Sequence, residues 1–208
     1  RGGGVAGAVV LGGPADRPVR REDGVVVKTY RAADGARILA EHRMLWESPF
    51  GAGRRPPGVP EPVSWDPETR ELTMEAVEGV PIGARGDLGQ APARAAEAAR
   101  LLADLHASGV RPARRRGAAG VLRSLERKAA EMDGDAGAAF ADAVARVGRL
   151  ADRCAVAGAE RPVATHGDWS PRNVLDAPGG LRVIDLDRLQ HAGAGRDLAY
   201  WGAWAWVT

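Results

Sequence analysis

The chain has a single cysteine, Cys154, among 208 residues, so no disulfide can form within it. The Ala-rich, helical setting of that residue reads as a buried, inert thiol. No apolar stretch approaches the roughly 20 residues needed to span a bilayer, and no opening segment has the charged start and apolar centre of a signal peptide. These absences argue for a cytoplasmic protein with no membrane partner. Charge of one sign is missing too: 29 basic residues against 27 acidic ones leave a net +2. The basic run from Arg111 to Arg116 is interrupted by Pro112 and Ala113, and reads as a solvated loop between helices, with no nucleic-acid partner. Lysine is almost absent. Lys28 and Lys128 are the only two, in a chain whose abundant arginine, alanine and glycine suggest a GC-rich coding bias. A lysine that persists where arginine is the default draws attention to Lys28. The apolar fraction, 45%, is ordinary for a globular protein and excludes disorder. The length allows a real core, in one domain or two small lobes.

The chain changes character near residue 78. Before it, Val5 to Leu11 is apolar and β-branched, broken by Gly12-Gly13-Pro14. Pro18 to Glu22 and Val25 to Tyr30 flank Asp23-Gly24, a two-residue hairpin signal. From Asp34 to Trp46 the apolar spacing becomes helical, with Ile38, Leu39, Leu45 and Trp46 on one side. A Pro- and Gly-rich loop, 51–62, precedes two further strands, Val63–Trp65 and Glu71–Val77. After Gly79 the spacing predicts helices over 91–107, 121–132 and 136–157. Short strands follow at 163–165 and 182–184. The end, 198–207, is apolar and carries Trp201, Trp204 and Trp206.

The densest chemistry lies in HGDWSPRNVL, His166 to Leu175, followed by VIDLD, Val183 to Asp187. Four residues separate Asp168 from Asn173, and Asp185 follows a dozen later at the end of an apolar run. Each alone reads as a turn or a helix cap. The full set, bracketed by short apolar runs, does not read as chance. The order matches a phosphoryl-transfer template: a loop aspartate that takes the hydroxyl proton, an asparagine on magnesium, and a further metal-binding aspartate. His166 reads as structural, its ring bonding to backbone. Gly167 allows a tight backbone approach. Trp169 lines an acceptor site or simply packs.

With Gly167 in place of the protein-kinase arginine, this motif resembles the aminoglycoside phosphotransferase and choline kinase-like family. The resemblance covers nearly the whole chain. It implies an α+β, two-lobed protein kinase-like fold: an N-lobe antiparallel sheet with one helix (1–78), and a mainly helical C-lobe (79–208). The chain stops about twenty residues after Asp187, where such relatives usually continue, so the expected C-lobe is incomplete. The implied activity is ATP-dependent transfer of the γ-phosphoryl group to a hydroxyl of a small molecule: an aminoglycoside, another antibiotic or a metabolite. ATP and Mg2+ are the implied cofactors. A non-catalytic nucleotide-binding module is the alternative.

The resemblance also implies roles. Asp168 is the base, and Asn173 and Asp185 are the magnesium ligands. Asp187 assists through a water or orients the acceptor. Lys28 contacts the α- and β-phosphates and pairs with Glu41, with Glu47 as runner-up. The carbonyl of Glu75 and the N–H of Val77 hold adenine, and Met74 borders the base; an edge strand ending in a turn has the same pattern. Gly12 and Gly13 cover the phosphates or form a plain hairpin turn. Asp197 braces the catalytic loop from below or caps the final helix, and Arg188 pairs with a carboxylate. Asp133, Asp135 and Asp142 read as solvated helix ends, with an acidic acceptor pocket as the other role. The three tryptophans point to a missing helix, or to a homodimer through the Trp-rich C-terminus.

Overall fold

The structure, a computed structural model, describes residues 9–31, 34–85, 92–156 and 161–207. Residues 5–8 of the expected first strand, and the side chains of Cys154 and Trp206, lie outside the described part.

The first strands, β1 (Val9–Gly12), β2 (Val19–Glu22) and β3 (Val25–Thr29), are joined by tight turns. Asp23 and Gly24 link β2 to β3 with φ of 43° and 84°. Both central residues are left-handed, as a type I′ hairpin requires, and an Asp-Gly pair tolerates this best. Helix α1 (Asp34–Trp46) follows, then β4 (Pro62–Asp66) and β5 (Glu71–Glu75). The five strands form one antiparallel sheet in the order β1-β2-β3-β5-β4. Ile38 and Leu39 of α1 pack on Leu72, with Tyr30, Trp65 and Met74 around them. Gly35 sits directly under the Trp65 ring, where a Cβ would come within 1.9 Å of it.

After β6 (Val80–Pro81), helix α2 (Pro92–His106) buries Leu101, Leu102 and Leu105 in the main core. Strand β7 (Arg115–Arg116), helix α3 (Ala118–Ala130) and helix α4 (Gly134–Val156) come next. The motif region supplies β8 (Pro162–Thr165), β9 (Val174–Ala177), β10 (Gly180–Val183) and β11 (Gln190–Gly193), and α5 (Gly195–Val207) ends the described chain. These strands form two three-stranded sheets, β10-β9-β6 and β7-β11-β8. The short strands expected at 163–165 and 182–184 are present as β8 and the end of β10. Their antiparallel partners, β9 and β11, carried no separate sequence signal, because each is only four residues long.

One core serves the helical part and reaches the sheet side through α1. Leu45, Val59, Leu105, Val174, Val183 and Leu189 are all fully buried within it. Truncating such a leucine to alanine costs about 2–5 kcal/mol. The sheet and the motif region are also joined by polar contacts. Arg182 of β10 is buried and makes two 2.7 Å hydrogen bonds to the carboxylate of Glu75 at the end of β5. Its second amino group also donates to the Val59 carbonyl.

Candidate active site

The loop between β8 and β9 is held by groups beneath it. Asp197, at the start of α5, is fully buried. One of its oxygens accepts the Gly167 N–H at 2.8 Å, and the other accepts the His166 N–H at 2.9 Å and faces His106 Nε2 at 3.0 Å. The His166 ring is also buried. Its Nε2 donates to the Ile184 carbonyl, so Nδ1 is the nitrogen that accepts the Asp168 N–H. One ring therefore ties the Asp168 backbone to the segment carrying Asp185. Gly167 has a φ of 81°, and a Cβ there would lie 2.3 Å from the Arg188 carbonyl oxygen. The close approach expected from the sequence is thus a real requirement. Pro171 opens a 3-10 turn over residues 171–173.

That turn sets the orientation of Asn173. Its Nδ2 donates to the Asp168 carbonyl at 2.9 Å, which leaves Oδ1 as a free oxygen donor. Asp168 is nearly buried, and its Oδ2 accepts a hydrogen bond from Arg172 at 3.2 Å. Asp185 has left-handed backbone, φ 63° and ψ 62°. For a non-glycine residue this costs about 1 kcal/mol or more, and such strain persists where the surroundings over-determine it.

Across the cleft, Lys28 Nζ lies 2.7 Å from Asp185 Oδ1 and 2.6 Å from Asp187 Oδ2. Tyr30 donates its hydroxyl proton to the other oxygen of Asp187 at 2.7 Å. Burial disfavours the charge on Lys28, but the two carboxylates outweigh it and hold its pKa above the ordinary lysine value. Burial likewise opposes the charge of Asp185, and Lys28 more than offsets this, so its pKa lies below the usual carboxylate range. The Tyr30 phenol is pushed up by burial and by Asp187, and stays protonated.

A cavity of about 510 Å3 opens between the five-stranded sheet and the β9–β10 hairpin. Leu11, Val26, Met74, Leu175 and Ile184 supply apolar walls, and Lys28, Asn173, Asp185 and Asp187 gather at one end. Glu75 and Val77 also line it. It is an apolar slot ending in a cation and hard oxygen donors, suited to a flat base and a phosphate tail.

One expectation from the sequence is corrected here, and one choice between two readings is narrowed. Glu41 is not the partner of Lys28. It is 4% exposed, pairs with Arg37 at 2.6 Å, and accepts the Arg114 N–H at 3.4 Å. Helical spacing puts Glu41 on the face of Ile38 and Leu45, turned towards the strand before α3, while two carboxylates from the motif region reach Lys28 instead. Glu47, past the end of α1, is exposed. Gly12 ends β1 and Gly13 opens the hairpin connection to β2, and neither lines the cavity, whereas Leu11 does. Gly13 has a φ of 91°, and a Cβ would lie 2.5 Å from the Arg17 carbonyl oxygen.

Other readings divide differently. Trp169 is 1% exposed, edge-on to His166 and 6.5 Å from the Trp201 ring, so it packs. Trp204 lies under the Arg172 guanidinium at 5.6 Å. Trp201 and Trp204 are therefore engaged within their own chain. Arg188 donates to the Tyr200 hydroxyl at 3.3 Å rather than to a carboxylate. Asp133, Asp135 and Asp142 are exposed and line neither this cavity nor the groove beside α5. The roles of Tyr30, Arg172 and Arg182 were not foreseen. Tyr30 had a signal, since it stands two residues after Lys28 on an alternating strand. Arg182 had none, because Glu75 is 107 residues away.

The donor set fits magnesium. Asn173 Oδ1 and the carboxylates of Asp185 and Asp187 are hard oxygens, and Mg2+ is usually held by one or two carboxylates together with phosphate oxygens. Among the described residues no cluster of three or more His, Cys, Asp or Glu forms a metal cage, so phosphate oxygens would complete the shell.

Fold and family together define a kinase-like phosphotransferase, ATP-dependent and directed at a small molecule. The chain belongs to the APH phosphotransferase enzyme family, whose model matches residues 9–208. No curated protein matches it in sequence. A choline/ethanolamine kinase family protein from Mesorhizobium loti superposes with a TM-score of 0.74 at 21% identity, over 99% of this chain and 67% of the other. An aminoglycoside phosphotransferase of the 3''-type from Streptomyces rimosus, in complex with ADP and streptomycin, gives 0.69 at 20% identity, over 98% and 79%. An aminoglycoside-3'-phosphotransferase of type VIII gives 0.62 at 25% identity, over 95% and 77%. None of the described helices is long and apolar enough to cross a membrane.

Proposed function

We propose that this protein transfers the γ-phosphoryl group of ATP to a hydroxyl of a small molecule, with residues 1–78 as the nucleotide-binding lobe and 79–208 as the catalytic lobe. The observation that carries this reading is the pairing of Lys28 with Asp185 and Asp187 across a cavity that also holds Asn173. ATP supplies the phosphoryl group, and bound Mg2+ neutralises its phosphate oxygens. Asp168 accepts the proton of the acceptor hydroxyl as the new oxygen–phosphorus bond forms. Asn173 and Asp185 offer oxygens to the metal, and Asp187 stands ready as a third donor. Lys28 turns its ammonium to the α- and β-phosphates. The Glu75 carbonyl and Val77 N–H pair with adenine at the cavity's far end. An ATP-dependent reaction fits a cytoplasmic setting. Self-association through α5 would use the exposed Leu198 rather than the engaged tryptophans.

The complete set of acid–base and oxygen-donor groups supports turnover over a merely nucleotide-binding role. The test is ADP release from MgATP on addition of hydroxyl-bearing small molecules. Release should vanish in Asp168→Asn while MgATP affinity stays within a few-fold. Near-normal turnover in that variant would exclude Asp168 as the base.

A further inference from the structure

We propose that the acceptor carries an anionic group close to its reactive hydroxyl, and that Arg172 is the residue that selects it. This rests on Asp168 being the base. The Asp168 carboxylate is 11% exposed, whereas the Arg172 side chain beside it is 57% exposed. An acceptor hydroxyl that reaches Asp168 therefore arrives against the guanidinium.

The guanidinium is held in place at two points. One amino group donates to Asp168 Oδ2, and the plane rests over the Trp204 ring of α5. A planar guanidinium has five N–H donors, and the contact to Asp168 uses one of its nitrogens. The remaining fork suits a carboxylate or phosphate, which arginine binds in bidentate fashion.

Arg188 and Arg196 lie against Tyr200 one turn before Trp204 on α5. Of these three arginines, only Arg172 makes an ion pair among the described residues, and its partner is Asp168 itself. Asp133, Asp135 and Asp142 line neither the cavity nor the groove beside α5. The fork has donors only and no acceptor, so it can hold an anion and offers nothing to an ammonium. A cationic acceptor is disfavoured on that ground, and an anionic one is held by the same group.

The test uses the whole protein with MgATP and acceptors matched in size but not in charge: glycerate, glycerol and 3-amino-1,2-propanediol; gluconate, glucose and glucosamine; and kanamycin. ADP release should favour the anionic member of each set at least tenfold in kcat/KM. Arg172→Gln should remove that preference mainly through KM, and Arg172→Lys should restore part of it. A preference for kanamycin or an amino alcohol would overturn the inference while leaving phosphotransfer intact. So would an Arg172→Gln variant that lowers kcat equally for all charges, because Arg172 would then only position Asp168. ADP release with none of these compounds would count against the proposed function. The inference is then judged by titrating gluconate into the MgADP complex. A change in tryptophan emission that Arg172→Gln abolishes upholds it, and no change rejects it.

Discussion

Lys28 is the residue on which the two sides of the cleft meet. Its ammonium bridges Asp185 and Asp187, and Tyr30 fixes the far oxygen of Asp187. Asp185 pays for its position with a left-handed backbone, which makes sense where a carboxylate must be aimed at a fixed point. Asp185→Ala should weaken magnesium-dependent nucleotide binding at least tenfold, while binding measured without the metal changes little. Calorimetry with and without Mg2+ checks this, and an unchanged metal dependence removes Asp185 from the ligand set. Much at this level was legible beforehand. Asp168, Asn173 and Asp185 sit in one short segment, where chain connectivity alone limits how far apart they can fall. Lys28 was noticeable by its rarity, but its partners were misjudged because helical spacing cannot say towards which distant element a face turns.

Helix α1 illustrates how an element does two jobs. Ile38 and Leu39 cover the sheet, while Glu41 and His42, one turn further along the same buried side, meet polar partners. His42 Nε2 donates to the Pro60 carbonyl at 2.9 Å, and burial pushes its pKa down to about 4. The folded pKa thus lies below the unfolded value, so between about pH 6.5 and 4 the unfolded chain binds a proton that the folded chain does not. His42 therefore costs no stability above that window, and destabilises the fold as the pH drops through it, by about 2 kcal/mol at pH 5. Urea unfolding at pH 7 and pH 5 should show this loss, and His42→Gln should lose about 2 kcal/mol less than the parent between the two. An identical pH response in both proteins would mean that His42 is not held neutral. The helix itself was foreseen from Asp34 to Trp46, and the structure shows those limits. Strands β6, β7, β9 and β11 were not, since runs of two to four residues carry too few alternations to register as a period.

The Arg182–Glu75 pair couples the five-stranded sheet to the β9–β10 hairpin beneath the cavity. The guanidinium holds the Glu75 carboxyl below the usual range, and the Glu61 N–H gives the same carboxylate a further bond. Because Glu75 ends β5 and lines the cavity, the pair also sets where the strand hands over to Val77. Arg182→Met should cost about 2 kcal/mol of stability, discounted for the partly exposed Glu75, and should weaken ATP binding several-fold. Unfolding curves and ATP calorimetry measure both. A variant as stable as the parent, with unchanged ATP affinity, would show that the two halves keep their alignment by apolar packing alone.

Local order along the chain was enough to settle several things: an antiparallel sheet before residue 78, helices after it, and a phosphoryl-transfer motif near the C-terminal end. Each depends on interactions between near neighbours, whether strand alternation, helical spacing, turn chemistry or a ten-residue motif. What sequence order left open was which charges meet. Lys28 turned to Asp185 and Asp187 rather than to Glu41, Trp201 and Trp204 covered their own chain, and Arg182 found Glu75. Those pairings join residues far apart in the chain, and burial and electrostatics choose among the candidates only once the elements are packed.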